Sequence, residues 1–131
     1  MKQRKNKMIK YLPAEEIKNK LTQIVQHLDF NHVDLARLAT FRSTGSKSRA
    51  IARCYALSKI WQSALNTKAH YIIEVISEKF DKLPEEDKEK VLIHELLHIP
   101  KTFGGGFRQH DFVCNRNVEV LHRKLKQHQK V

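Results

Sequence analysis

A chain of 131 residues, 40% of them hydrophobic, is long enough to bury one core, and a single domain over residues 1–131 follows from that size. Its two cysteines exclude a disulfide framework and point to a reducing, cytoplasmic setting, and no apolar run approaches the ~20 residues that span a bilayer. The net charge of +11, from 25 Lys and Arg against 14 Asp and Glu, suits a surface that meets anionic partners, nucleic acid among them.

Residues 1–12 carry Lys2, Arg4, Lys5, Lys7 and Lys10 with no apolar segment after them, so a flexible basic arm is expected rather than a secretory signal. Pro13, Glu15 and Glu16 then mark a helix start, because the missing amide and the acids both suit a first turn. Ile17, Leu21, Ile24 and Leu28 share one face and predict an amphipathic helix to about Leu28. From Val33 to Arg42 the period changes to two, which predicts a strand. Ser43-Thr44-Gly45-Ser46 reads as a turn, and Ala50 to Ala56 as the paired strand of a hairpin. Ser58 to Leu65 fits either a short helix or an extended connection. His70 to Ile76 is rich in β-formers and predicts another strand.

Leu83-Pro84-Glu85-Glu86-Asp87 opens a further helix, which Pro100 stops. Gly104-Gly105-Gly106 follows, able to reverse the chain tightly or to serve as a mobile lid. A last helix is expected from about His110 to Lys126, with residues 127–131 as a second flexible basic end. Neither basic end interleaves aromatic residues, so phosphate contacts rather than base stacking are expected there. The predicted fold is α+β: an N-terminal helix, a small sheet of about three strands, a motif helix and a C-terminal helix.

The motif helix carries His94-Glu95-Leu96-Leu97-His98. Residues four apart lie on one helical face, so both imidazoles can point at a single ion, and Glu95 sits where it can reach a water on that metal. Val91 to Ile99 is otherwise apolar all round, and two imidazoles and a carboxylate would be costly there unless paired or bound. A catalytic zinc site needs a third protein ligand and leaves one position open. On the predicted last helix, His110 falls on the apolar stripe of Cys114, Val118, Leu121 and Leu125. Glu119 lies about 180° away, and His122 about 120° away at the surface. His110 is therefore the expected ligand, with Cys114 as the alternative.

The stretch from Val91 to Asp111, VLIHELLHIPKTFGGGFRQHD, resembles the active-site segment of the phage-type metallopeptidase family and, more distantly, of the SprT-like zincin proteases. The resemblance extends upstream through RSTGSKSRAIARCYALSKIWQSAL and HYIIEVISEKFDKLPEEDK, covering roughly Val33 to Leu125. It implies a minimal zincin-like fold with His94, His98 and His110 as zinc ligands and Glu95 as general base. SprT-like proteases usually carry His-Gly at the third ligand, whereas this chain has His110-Asp111. Metzincins fit less well, because their third histidine lies six residues after the second and they need a methionine turn. Met1 and Met8 are the methionines of this chain.

The expected reaction is zinc-assisted hydrolysis of a peptide bond, with residues 70–76 beside the cleft offering backbone groups to an extended substrate. Arg108 is the expected oxyanion partner, with Tyr55 and Tyr71 as alternatives, and Asn117 or Asp111 would orient His110. The competing class is a basic nucleic-acid-binding protein whose metal site is structural or vestigial. Recruitment of Cys114 beside the three histidines would mark that case.

Overall fold

Among the described residues, 8–108 and 112–129 of a computed structural model, four strands and five helices follow one another. They are β1 (Lys10–Pro13), α1 (Glu15–His27), β2 (Leu38–Thr44), β3 (Ala52–Ala56), α2 (Lys59–Leu65), β4 (Tyr71–Ile76), α3 (Ser77–Phe80), α4 (Glu85–Leu97) and α5 (Asn115–Gln129). The fold is α+β, as expected, with one strand more than the predicted sheet. No helix of the described residues is long and apolar enough to cross a membrane.

The sheet order is β1-β2-β4-β3, with β2 and β4 parallel and the other pairs antiparallel. Two expectations fail here. Residues 38–44 and 52–56 do not form a hairpin, because β4 lies between them. Tyr71, Ile73, Glu74, Val75 and Ile76 are all buried, and such a strand gains most at the centre, where both faces are covered. The less apolar β3, with no fully buried residue, takes the edge. The second concerns the N-terminal arm: Lys10–Pro13 pairs with Phe41–Thr44 as the other edge strand. Proline is tolerated at such an edge.

The strand expected from Val33 begins only at Leu38. Asp34 accepts a hydrogen bond from the Ala36 amide at 3.0 Å and caps a 3-10 turn over Leu35–Arg37. Arg37 then anchors that turn to Asp34 and to the Ala69 carbonyl. The alternatives left open for residues 58–65 resolve as helix α2, ended by Asn66 in the left-handed conformation.

Helix α1 buries Ile17, Leu21 and Ile24, as its spacing predicts, with Leu28 buried at its C-cap and Val25 buried as well, and α4 buries Leu92, Ile93, Leu96 and Leu97. These meet Tyr71, Ile73 and Val75 of β4 in one core. Each such side chain is worth roughly 1.5–3 kcal/mol of transfer free energy. The acidic first turn, Glu85-Glu86-Asp87, starts α4 behind Pro84 as read from the sequence. α4 packs between β3 and α5, which places its last turn beneath the sheet's free edge. α5 begins at Asn115 rather than near His110, and it continues through Gln127–Gln129, a stretch expected to be flexible.

Candidate metal centre

The i,i+4 spacing of His94 and His98 survives to the end of α4 because His98, the C-cap residue, still has helical φ and ψ of −68° and −19°. The two imidazole centroids are 5.1 Å apart with planes at 74°. His94, Glu95 and His98 each offer one potential ligand atom, and those atoms all lie within 4.8 Å of one another. His98 Nδ1 lies 3.0 Å from the Arg108 carbonyl oxygen. A carbonyl can only accept, so Nδ1 donates, and in the neutral ring Nε2 becomes the lone-pair nitrogen. The Arg108 amide donates in turn to the His98 carbonyl at 2.8 Å, so the chain just before residue 109 is fastened to the end of the motif helix.

Glu95 is 6% exposed, and no lysine or arginine among the described residues forms an ion pair with it. Burial in this apolar setting pushes its carboxyl up to about 7. Nearby, burial first and then the Glu95 charge push the Cys54 thiol up to about 12. Cys54 is therefore a protonated, packed thiol rather than a nucleophile.

Two adjoining cavities flank this group. One, of about 350 Å³, is lined by Arg49, Ile51, Ala52, Lys90, Val91, His94, Glu95, Asn115, Val118 and Glu119. The other, of about 520 Å³, is lined by residues 52–55, His94, Glu95, His98, Phe107 and Arg108. They share Ala52, His94 and Glu95 and so form a trough along β3. The Leu57 amide bonds the His70 carbonyl, and the Ile76 amide bonds the Ile51 carbonyl. By antiparallel alternation, the backbone groups of Ala52, Cys54 and Ala56 then point away from β4, toward the sheet's open edge. The strand able to offer backbone groups to a partner is therefore β3. Residues 70–76 cannot do so, since β4 is paired on both sides.

The remaining sequence expectations sort by where each side chain lands. Arg108 lies on the trough wall with its guanidinium 4.2 Å from the centre of the Phe112 ring. Tyr55 turns to the opposite face of the sheet and donates to Glu74 at 2.5 Å. Tyr71 is fully buried and fastens the glycine loop, accepting from the Gly105 amide at 2.9 Å and donating to the Gly106 carbonyl at 2.8 Å. Gln62 donates to the Gly104 carbonyl at 3.1 Å. Gly105 has φ of +106°, and a Cβ there would lie 2.5 Å from Gln62 Nε2 and 2.7 Å from the Leu57 carbonyl oxygen. This loop is pinned and packed rather than a loose lid.

His110 and Asp111 lie outside the described residues. α5 starts at Asn115, so Cys114 precedes the helix on whose stripe it was expected. Cys114 is not part of the gathered His94, Glu95, His98 group. Asn117 donates to the Phe112 carbonyl at 2.5 Å, a bond at the start of α5. Glu119 is exposed, as expected, and pairs with Lys90 at 2.9 Å. His122, expected at the surface, is 5% exposed and meets Glu89 at 3.1 Å. The buried stripe of α5 is Val118, His122 and Leu125, so the true helix phase turns His122 inward. Sequence reasoning missed Arg49, Ala52 and Cys54 as site residues, since nothing local distinguishes them before β3 is placed at the edge.

No curated protein and no solved structure matches the chain. A family model described as "Putative phage metallopeptidase" matches residues 9–129, which include the whole motif helix and both walls of the trough. With nearly its full length matched, the chain belongs to that phage metallopeptidase family.

Proposed function

We propose that this metallopeptidase hydrolyses peptide bonds with a zinc ion held by His94, His98 and His110, and with Glu95 as general base. The gathering of His94, Glu95 and His98 within 4.8 Å, beside the open edge of β3, carries this reading. The donor set fits the ion. His98 is oriented by a carbonyl on Nδ1, as imidazole ligands commonly are, and the buried carboxylate lacks a lysine or arginine partner among the described residues. His110 follows Arg108 by two residues in the sequence.

The chemistry a bound zinc ion supplies in such a set is acidification of water and polarisation of a carbonyl. The chain's own residues do the rest. Glu95, with its carboxyl held near neutrality, takes the proton of the attacking water and returns it to the leaving amine. The backbone of Ala52, Cys54 and Ala56 aligns an extended peptide as an added strand. Arg108, on the trough wall, meets the negative charge that develops on the carbonyl oxygen. Cleavage of a casein substrate and metal content measured on the purified chain test this. Glu95→Gln should keep its zinc and lose turnover, while His94→Ala, His98→Ala and His110→Ala should each lose zinc. Full zinc content in His110→Ala would remove that residue from the ligand set.

The net charge of +11 supports a second reading, a basic nucleic-acid-binding protein with a structural or vestigial site. Salt-dependent retention on nucleic acid without any peptide cleavage would favour it. A structural zinc site needs a fourth protein ligand, and Cys114 is not part of the gathered group.

A further inference from the structure

The cavity between β3 and α5 is lined by Arg49 and Lys90 and by the carboxylates of Glu95 and Glu119, while Arg53 and Arg108 line the rest of the trough. Ile51, Val91 and Val118 give it apolar walls, and two cations reach its rim. Lys90 is held by Glu119 at 2.9 Å, so that pair is neutral overall. Arg49, three residues before β3, is exposed and forms no ion pair among the described residues. We propose that this cavity is a subsite for a glutamate side chain of the peptide substrate, with Arg49 as the residue that selects it. The proposal rests on the hydrolase reading above and deepens it by naming the substrate class, an acidic extended peptide.

The chemistry favours glutamate on three counts. Its methylenes can lie against Ile51, Val91 and Val118 while its carboxylate accepts two parallel hydrogen bonds from the Arg49 guanidinium. A glutamine would fill the same volume without the charge, and a lysine would bring like charge to the rim. The edge groups of Ala52, Cys54 and Ala56 pair with a peptide backbone, which a nucleic acid lacks. A nucleic acid also carries its charge on phosphates with no apolar stem to lie against those walls. The +11 surface adds long-range attraction for an acidic substrate.

Internally quenched peptides on one alanine-serine backbone, with Glu, Gln or Lys placed in turn at each position, test this on the zinc-loaded full chain. Glutamate at one fixed position near the cleaved bond should raise kcat/KM about tenfold over glutamine, with lysine poorer than both. Arg49→Gln should bring the Glu:Gln ratio to about one. Arg49→Glu should invert the order in favour of lysine. Binding of the same peptides to Glu95→Gln, with and without Arg49→Gln, reads the selection without turnover by fluorescence anisotropy. If nothing is cleaved, the hydrolase reading fails by itself and the binding arm decides the subsite. A glutamate preference that persists in Arg49→Gln overturns the proposal, as does its absence from both arms. Arg49-dependent binding of a single-stranded oligonucleotide, with no discrimination among the peptides, would assign the cavity to a polyanion and overturn it equally.

Discussion

Helix α4 carries two buried glutamates six residues apart, and the fold treats them in opposite ways. Glu89 is 1% exposed and meets Lys20 at 2.9 Å, Lys126 at 3.0 Å, Gln129 at 3.0 Å and His122 at 3.1 Å. Burial alone would raise its pKa, yet hydrogen bonds from Gln129, Lys20, Lys126 and His122 outweigh it and hold the carboxyl down at about 2. Glu95 is buried too, without those cations, and its carboxyl rises to about 7. One carboxylate ties α1, α4 and α5 together, and the other is left poised to exchange a proton. Burial is common to both; the neighbours decide which becomes a strut and which a base.

Substitution at each glutamate tests that contrast. Glu95→Gln should lower kcat/KM by about 10³-fold, or about 4 kcal/mol of barrier. It should leave urea-unfolding stability unchanged or slightly higher, since an unpaired buried carboxyl is removed. A variant that loses activity only because it unfolds would break the comparison. Glu89→Gln should do the reverse, lowering stability by about 3 kcal/mol because Lys20 and Lys126 lose their shared buried partner. Peptide cleavage by the folded fraction should persist.

Acid titration sharpens the contrast further. The Glu89 pKa is depressed from 4.5 in the unfolded chain to about 2, so its stabilisation is fully present above about pH 5 and is lost as pH falls toward 2. The shift corresponds to about 3 kcal/mol. Unfolding free energies of wild type and Glu89→Gln should converge over that window, and parallel curves would show that Glu89 is not held as described. The smallest expected effect is at Gly105→Ala, about 2 kcal/mol, from the left-handed φ and the contact with the Leu57 carbonyl. Differential scanning calorimetry checks it, and an unchanged Tm would mean the loop is not pinned.

The helices were legible where their apolar spacing alone determines the buried face, as with Ile17, Leu21 and Ile24 of α1. The strands were less so. β1 is four exposed residues whose sequence, Lys-Tyr-Leu-Pro, has no strand signal apart from its pairing with β2. His122 was misplaced because its angle was measured from His110, five residues before α5 begins. Measured from Val118 and Leu125, which are in the helix, His122 lies only about 40° and 60° away and so shares their buried side.

By itself the sequence determined that His94 and His98 share a face, that Glu95 stands between them, and that the helix bearing them is buried, because those relations hold within one or two turns. Tertiary structure alone decided which strand lies at the open edge and which cations reach Glu89, and brought Arg49 to the cavity that Glu95 lines. Those arrangements join residues tens of positions apart. They are settled by which strand gains most from burial on both faces, and local periodicity carries no record of that competition.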